Sequence, residues 1–201
     1  MTESRPPGDQ HGSEGQRSAL KKEHRSLRRR PLFAPLLMPL FAAAAAVLLL
    51  AWAWNASNTT TVVVVRHAEK MPAPADNPPL SPAGEYRAAA LAGWLADSGI
   101  RTIYVSDTAR SRQTAEPVAK RLSAQIVERP ADDVEGLVKA LRGQHRGETV
   151  LVVGHANTVP AIVRRLGGDT VELTANEYSR LFVVTDSPLT RTTVLQLRYG
   201  G

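Results

Sequence analysis

Residues 61–70 read Thr-Val-Val-Val-Val-Arg-His-Ala-Glu-Lys. A β-branched run this short reads as a strand buried on both faces, the kind found in parallel sheets covered by helices on either side. The dipeptide Arg66-His67 follows it directly, at the carboxyl end where open α/β sheets bind their ligands. Downstream, strand and helix patterns alternate. Ser81-Pro82 opens a helix, with Ser81 at the N-cap and Pro82 at the first position. Its expected apolar stripe is Tyr86, Ala90, Leu91, Trp94 and Leu95, and Gly99 ends it. Residues 103–105 form a short strand. A helix covers about residues 109–122, with Pro117 expected to disturb its middle or mark an offset start. Residues 126–127 are a weak strand, and 132–144 a helix with acids first and bases later, as the macrodipole favours. Residues 149–153 make another β-branched strand. Asn157 or Thr158 caps a helix that ends near Gly167-Gly168, and 181–185 and 192–197 are late strands. This alternation predicts a three-layer α/β sandwich, a largely parallel central sheet flanked by helices.

Upstream of the first strand the character changes. The chain has 201 residues and a net charge of +6, a length that fits one domain plus an appendage. Residues 1–30 carry eight basic side chains and four acids, a net +4 that leaves only +2 for the rest. This head has no apolar periodicity and no interleaved aromatics, so residues 1–31 read as a disordered basic tail rather than a nucleic-acid surface. Residues 32–54 contain no charge and approach the ~20 residues that span a bilayer. Trp52 and Trp54 lie where an interfacial aromatic belt belongs, and the basic flank at 21–30 is the one that stays in the cytoplasm. The expectation is a single transmembrane signal anchor, a linker at 55–61, and an extracytoplasmic domain at 62–201. A cleaved signal peptide, with Ala51-Trp52-Ala53 as its cleavage site, and a buried soluble helix are the competing readings. The absence of cysteine excludes disulfides, thiolate zinc sites, iron–sulfur clusters and a cysteine nucleophile.

Three polar clusters follow expected strands: Arg66-His67, Ser106-Asp107 with Arg110 beyond, and Gly154-His155. Each alone is a weak signal. Together they put two arginines and two imidazoles at one end of the sheet, a set suited to a dianion. Arginine matches phosphate oxygens bidentately, and a neutral imidazole is a nucleophile toward phosphorus.

At these residues the sequence resembles the histidine phosphatase superfamily, also called phosphoglycerate-mutase-like. Val65-Arg66-His67-Ala68-Glu69-Lys70 is similar to its nucleophile motif. Ser106-Asp107-Thr108-Ala109-Arg110-Ser111-Arg112-Gln113-Thr114-Ala115 is similar to its Ser-x-x-x-Arg-x-x-x-Thr-Ala segment, and Val153-Gly154-His155-Ala156-Asn157-Thr158 to its second-histidine motif. Leu80-Ser81-Pro82-Ala83-Gly84 resembles its Leu-Thr-x-x-Gly segment. The resemblance implies that His67 attacks phosphorus and forms a phosphohistidine that water then hydrolyses. Arg66, Arg110 and His155 would hold the transferring oxygens, with Ser106 beside them. A hydrogen bond to the other ring nitrogen would orient His67. No metal or other cofactor is expected, and the substrate would be a phosphorylated small molecule or phosphoprotein.

The general acid is less distinct. Glu69, Asp132 and Asp133 are the candidates, against structural roles as an ion-pair partner for Glu69 and as first-turn helix acids for the aspartates. The chain lacks a clear mutase segment at 127–133 and resembles the compact branch of phosphohistidine phosphatases, which have no dedicated acid. The expected activity is hydrolysis of phosphomonoesters or a phosphoramidate. A mutase of the same family and a silent phospho-ligand-binding domain are the alternatives.

Overall fold

The computed structural model describes residues 34–74, 76–174 and 176–200. The basic tail expected at 1–31, and the first residues of the expected span, lie outside the described residues. The chain divides into two compact units, residues 1–45 and 46–201. Helix α1 runs Ala34–Asn58, and within it Leu37–Asn58 is long and apolar enough to cross a membrane. Helix therefore continues to Asn58, four residues into the stretch expected as a linker, and only Thr59 separates it from β1.

The α/β elements are β1 (Thr60–Arg66), α2 (Pro82–Trp94), β2 (Thr102–Ser106), α3 (Ala109–Leu122), β3 (Gln125–Arg129), α4 (Val134–Gln144), β4 (Thr149–Gly154), α5 (Thr158–Arg165), β5 (Arg180–Asp186) and β6 (Thr193–Arg198). They form one sheet in the order β3-β2-β4-β1-β5-β6. β1 to β4 are mutually parallel, and β5 runs against both β1 and β6. The carboxyl ends of β1, β2 and β4 consequently share one edge of the sheet with the start of β5.

Helices cover both faces, which is why the valines of β1 can all be buried. On one face Val62, Val64, Val150, Val152 and Phe182 pack against Leu137 and Leu141 of α4 and Val159, Ile162 and Val163 of α5. On the other, Val63, Val65, Ile103, Val105, Leu151 and Val153 pack against Leu91 and Ala92 of α2 and Ala115 and Val118 of α3. The period of two along each strand assigns alternate side chains to alternate layers.

Two local expectations are corrected. The buried face of α2 is Gly84, Ala88, Leu91 and Ala92, with Leu95 beyond its end, whereas Tyr86 and Trp94 are exposed. At Gly84 α2 packs closely on the loop after β1, where a Cβ would collide with the carbonyl of Glu69. Pro117 neither breaks nor starts α3, which continues through it. The buried stripe Ser111, Thr114, Ala115 and Val118 pins the helix against the sheet and outweighs the propensity cost of proline.

Candidate active site

His67 lies one residue past β1, and its backbone N–H donates to the Gly154 carbonyl at 2.9 Å, prolonging the β1–β4 ladder. The next peptide is held by α3: Ala68 N–H donates to Thr114 Oγ1 (3.0 Å), and that hydroxyl donates to the Arg110 carbonyl (2.7 Å). Thr114 is fully buried, so one hydroxyl ties the loop bearing His67 to the turn bearing Arg110. Farther along, Ser81 caps α2 by accepting from Gly84 N–H (3.2 Å), while its own N–H donates to the Glu69 carbonyl (2.9 Å). Asn77, in the proline-rich segment between β1 and α2, accepts from Ala109 N–H at the start of α3 (2.9 Å).

These constraints bring His67, Arg66, Arg110, His155 and Ser106 to one place. The imidazoles of His67 and His155 stand 5.2 Å apart, tilted by 65°. His67 Nδ1 lies 2.8 Å from the Ala68 carbonyl, which can only accept, so Nδ1 carries the proton. Nε2 then keeps its lone pair, and Arg110 Nε donates to it at 3.3 Å. The orienting partner of the His67 ring is thus the neighbouring carbonyl. His155 Nε2 is 2.8 Å from Ser106 Oγ, which sits in a hydroxyl cluster with Ser111 (2.6 Å) and Thr108 (3.1 Å). The His155 N–H donates to Thr158 Oγ1 (2.8 Å). Asn157 occupies the N-cap of α5 without a side-chain capping bond.

The electrostatics follow from burial beside cations. Burial lowers the His67 pKa to about 3; His155, Arg110 and Arg66 push the same way, and the Ala68 hydrogen bond opposes them. Burial likewise lowers His155 to about 4, helped by Arg110 and Arg66 and opposed by Asp107. Arg110 is itself lowered by burial and by Arg66. Without a ligand the pocket holds two neutral imidazoles and crowded guanidiniums, an arrangement that an entering dianion relieves.

The three candidate acids lie in other contacts. Glu69 accepts from Arg87 at 2.7–2.9 Å through both carboxylate oxygens. Partial burial would raise its pKa, but the Arg87 hydrogen bonds and charge outweigh that and hold it low. Asp133 caps α4, accepting from Gly136 N–H (2.9 Å), and pairs with Arg129 (3.0 Å). Asp132 is exposed next to it. A small cavity of about 30 Å³ beside Ser106 and His155 is lined by Pro130, Ala131, Asp133 and Val134, enough for roughly one water. Among the described residues, no group of three or more His, Asp and Glu is placed to hold a metal ion.

Sequence reasoning missed three residues. Thr114 stood in the quoted motif without a role. Tyr178 lies with its ring 6.0 Å from that of His67 and 4.1 Å below the Arg66 guanidinium. Glu177 precedes it, and its carbonyl accepts from Arg66. Neither Glu177 nor Tyr178 carries a periodic or motif signal; the reversed direction of β5 is what delivers them to the site.

The model of the histidine phosphatase superfamily (branch 1) matches residues 62–131. No curated protein sequence matches the chain. Among solved structures, the SixA protein from Nakamurella multipartitia is 24% identical with a TM-score of 0.53, over 71% of this chain and 98% of its own. The protein histidine phosphatase SixA complexed with tungstate is 22% identical with a TM-score of 0.57, over 69% and 96%. A phosphoglycerate mutase from Plasmodium falciparum is 17% identical with a TM-score of 0.52, over 70% and 91%. Across residues 62–131 the sequence resembles the histidine phosphatase superfamily, and the α/β unit shares its fold with SixA proteins and a phosphoglycerate mutase alike.

Proposed function

We propose that residues 62–201 are a phosphatase that hydrolyses phosphomonoesters or a phosphoramidate through a phosphohistidine on His67. The observation that carries this reading is the buried, neutral His67. Its Nδ1 proton is spent on the Ala68 carbonyl, leaving Nε2 as a lone pair among Arg110, Arg66 and His155. In the first half-reaction Nε2 bonds to phosphorus as the bond from phosphorus to the leaving group breaks. The arginines spread the charge of the equatorial oxygens. The incoming dianion raises the proton affinity of His155, which then donates to a phosphoryl oxygen as the ligand's charge develops. In the second half-reaction water attacks phosphorus, phosphate departs and His67 is restored.

The ties of Glu69 to Arg87 and of Asp133 to Arg129 and the α4 cap favour a leaving group that brings its own proton, as a phosphohistidine imidazole protonated on its other ring nitrogen does. Substrates are therefore phosphorylated small molecules or phosphoproteins. We also infer that α1 anchors the chain as a single-pass signal anchor, with its basic flank in the cytoplasm and the catalytic unit on the far side.

The test uses the full-length chain in detergent with an aryl phosphate and EDTA. Hydrolysis is expected, and acid quenching should trap an acid-labile, alkali-stable phosphoenzyme. His67→Ala should lower kcat at least about 10³-fold, the scale lost when a covalent nucleophile is removed, and should abolish trapping. Full activity in His67→Ala overturns the mechanism. Exchange of phosphate between sugar-acid phosphates without net hydrolysis would favour the mutase.

A further inference from the structure

We propose that Thr174, Glu177 and Tyr178, ahead of β5, complete the phosphate pocket, with Glu177 and Tyr178 as positioning residues that set the orientation of Arg66. The proposal rests on the phosphatase reading, in which Arg66 binds the transferring phosphoryl group.

Arg66 ends β1 with its side chain buried, and its contacts lead to these residues. Its Nη1 donates to the carbonyls of Thr174 (3.1 Å) and Glu177 (3.2 Å). Its guanidinium lies 4.1 Å over the Tyr178 ring. Two carbonyls accepting from the same nitrogen and one aromatic face against the guanidinium constrain the direction of the fork. A bidentate oxyanion contact is useful only when that fork is already oriented.

These residues have their own fastening. One Glu177 carboxylate oxygen accepts from the N–H and the hydroxyl of Thr174 (3.1 and 3.3 Å). The other pairs with Arg180 at the start of β5 (2.8 Å) and faces Arg198 at the end of β6 (3.7 Å). One side chain thus joins Thr174 to Glu177 and anchors them to the two outer strands. This places the two carbonyls where Arg66 meets them and suspends Tyr178 beside His67. The chain of contacts runs from the edge of the sheet through Glu177 to the two carbonyls and on to Arg66. Glu177 does not itself touch the reacting atoms.

The test measures affinity for inorganic phosphate by calorimetry, and KM and kcat with an aryl phosphate, on the full-length chain in detergent. Arg66→Ala serves as the reference for a lost phosphate contact. Tyr178→Leu removes the aromatic face and should weaken phosphate binding about three- to thirtyfold, the range of a cation–π contact, with KM rising to match. Tyr178→Phe keeps the ring and should recover most of that loss. Glu177→Ala should weaken phosphate binding in the same direction, with Glu177→Gln intermediate. These changes should persist at temperatures where each variant is fully folded, which a purely structural role would not produce. Should Tyr178→Leu fail to fold, the Glu177 variants carry the test. Phosphate affinity unchanged in Tyr178→Leu, or in Glu177→Ala where that variant alone folds, while Arg66→Ala loses it, overturns this inference and leaves the phosphatase reading standing. A wild type that neither binds phosphate nor shows His67-dependent hydrolysis overturns both.

Discussion

At the scale of single residues, the proposed nucleophile His67 is kept neutral and aimed by its immediate neighbours. His67 holds its proton on Nδ1 because a carbonyl 2.8 Å away accepts it, and it resists a second proton because it is buried beside cations. That resistance has a cost in stability. The folded pKa of His67 is about 3 and that of His155 about 4, while an unfolded histidine titrates near 6.5. Between those values the unfolded chain holds more protons than the native one, so stability falls as pH drops from about 6.5 toward 3. His67 alone should contribute a slope of up to about 1.4 kcal/mol per pH unit in that window. Urea midpoints of ligand-free wild type and His67→Gln at pH 7, 5.5 and 4.5 check this: the wild type should lose more, and parallel curves refute it. Thr114 is the other residue on which aim depends. Thr114→Val leaves the Ala68 N–H and Arg110 carbonyl without their shared hydroxyl. It should cost about 1–3 kcal/mol and lower kcat/KM, while Thr114→Ser should keep most of both. Denaturation and steady-state kinetics on the pair distinguish a lost hydrogen bond from lost packing.

Among the elements, what could be read in advance was whatever period and strand ends encode. The valine run of β1, the Ser81 cap and the polar residues after β1, β2 and β4 all emerge from local patterns. Thus Arg66, His67, Arg110 and His155 were legible before any coordinates. The buried face of α2 was not, because hydropathy favours Trp94 and Tyr86, whereas the close approach to the Glu69 carbonyl demands Gly84 and the packed core takes Ala88, Leu91 and Ala92. The Glu177–Tyr178 turn was not legible either, since it reaches the pocket only through the antiparallel placement of β5. Nor could sequence foresee that Arg87 clamps Glu69 while also donating to the carbonyls of Tyr199 (3.2 Å) and Gly200 (2.8 Å). The α2 contact gives a prediction of its own. Gly84→Ala should push the helix off the loop that carries His67. The expected cost is about 1–3 kcal/mol, the usual range for overpacking, together with a fall in kcat/KM. A variant with wild-type melting and kinetics would show that the contact is soft.

For the whole molecule, the proposed anchor α1 has consequences that fractionation and topology reporters can read. The full-length chain should sediment with membranes and resist carbonate extraction, and a chain lacking residues 1–58 should not. A reporter fused after residue 201 should read the extracytoplasmic side; a cytoplasmic signal would refute the topology. The chain leaves α1 at the amino end of β1, and His67 follows its carboxyl end. Seven residues of strand lie between them, a height of about 20 Å at the usual rise per residue. A perturbation at the junction of α1 and β1 therefore starts at the opposite end of the strand from His67, and reaches the pocket only through the packed length of the sheet.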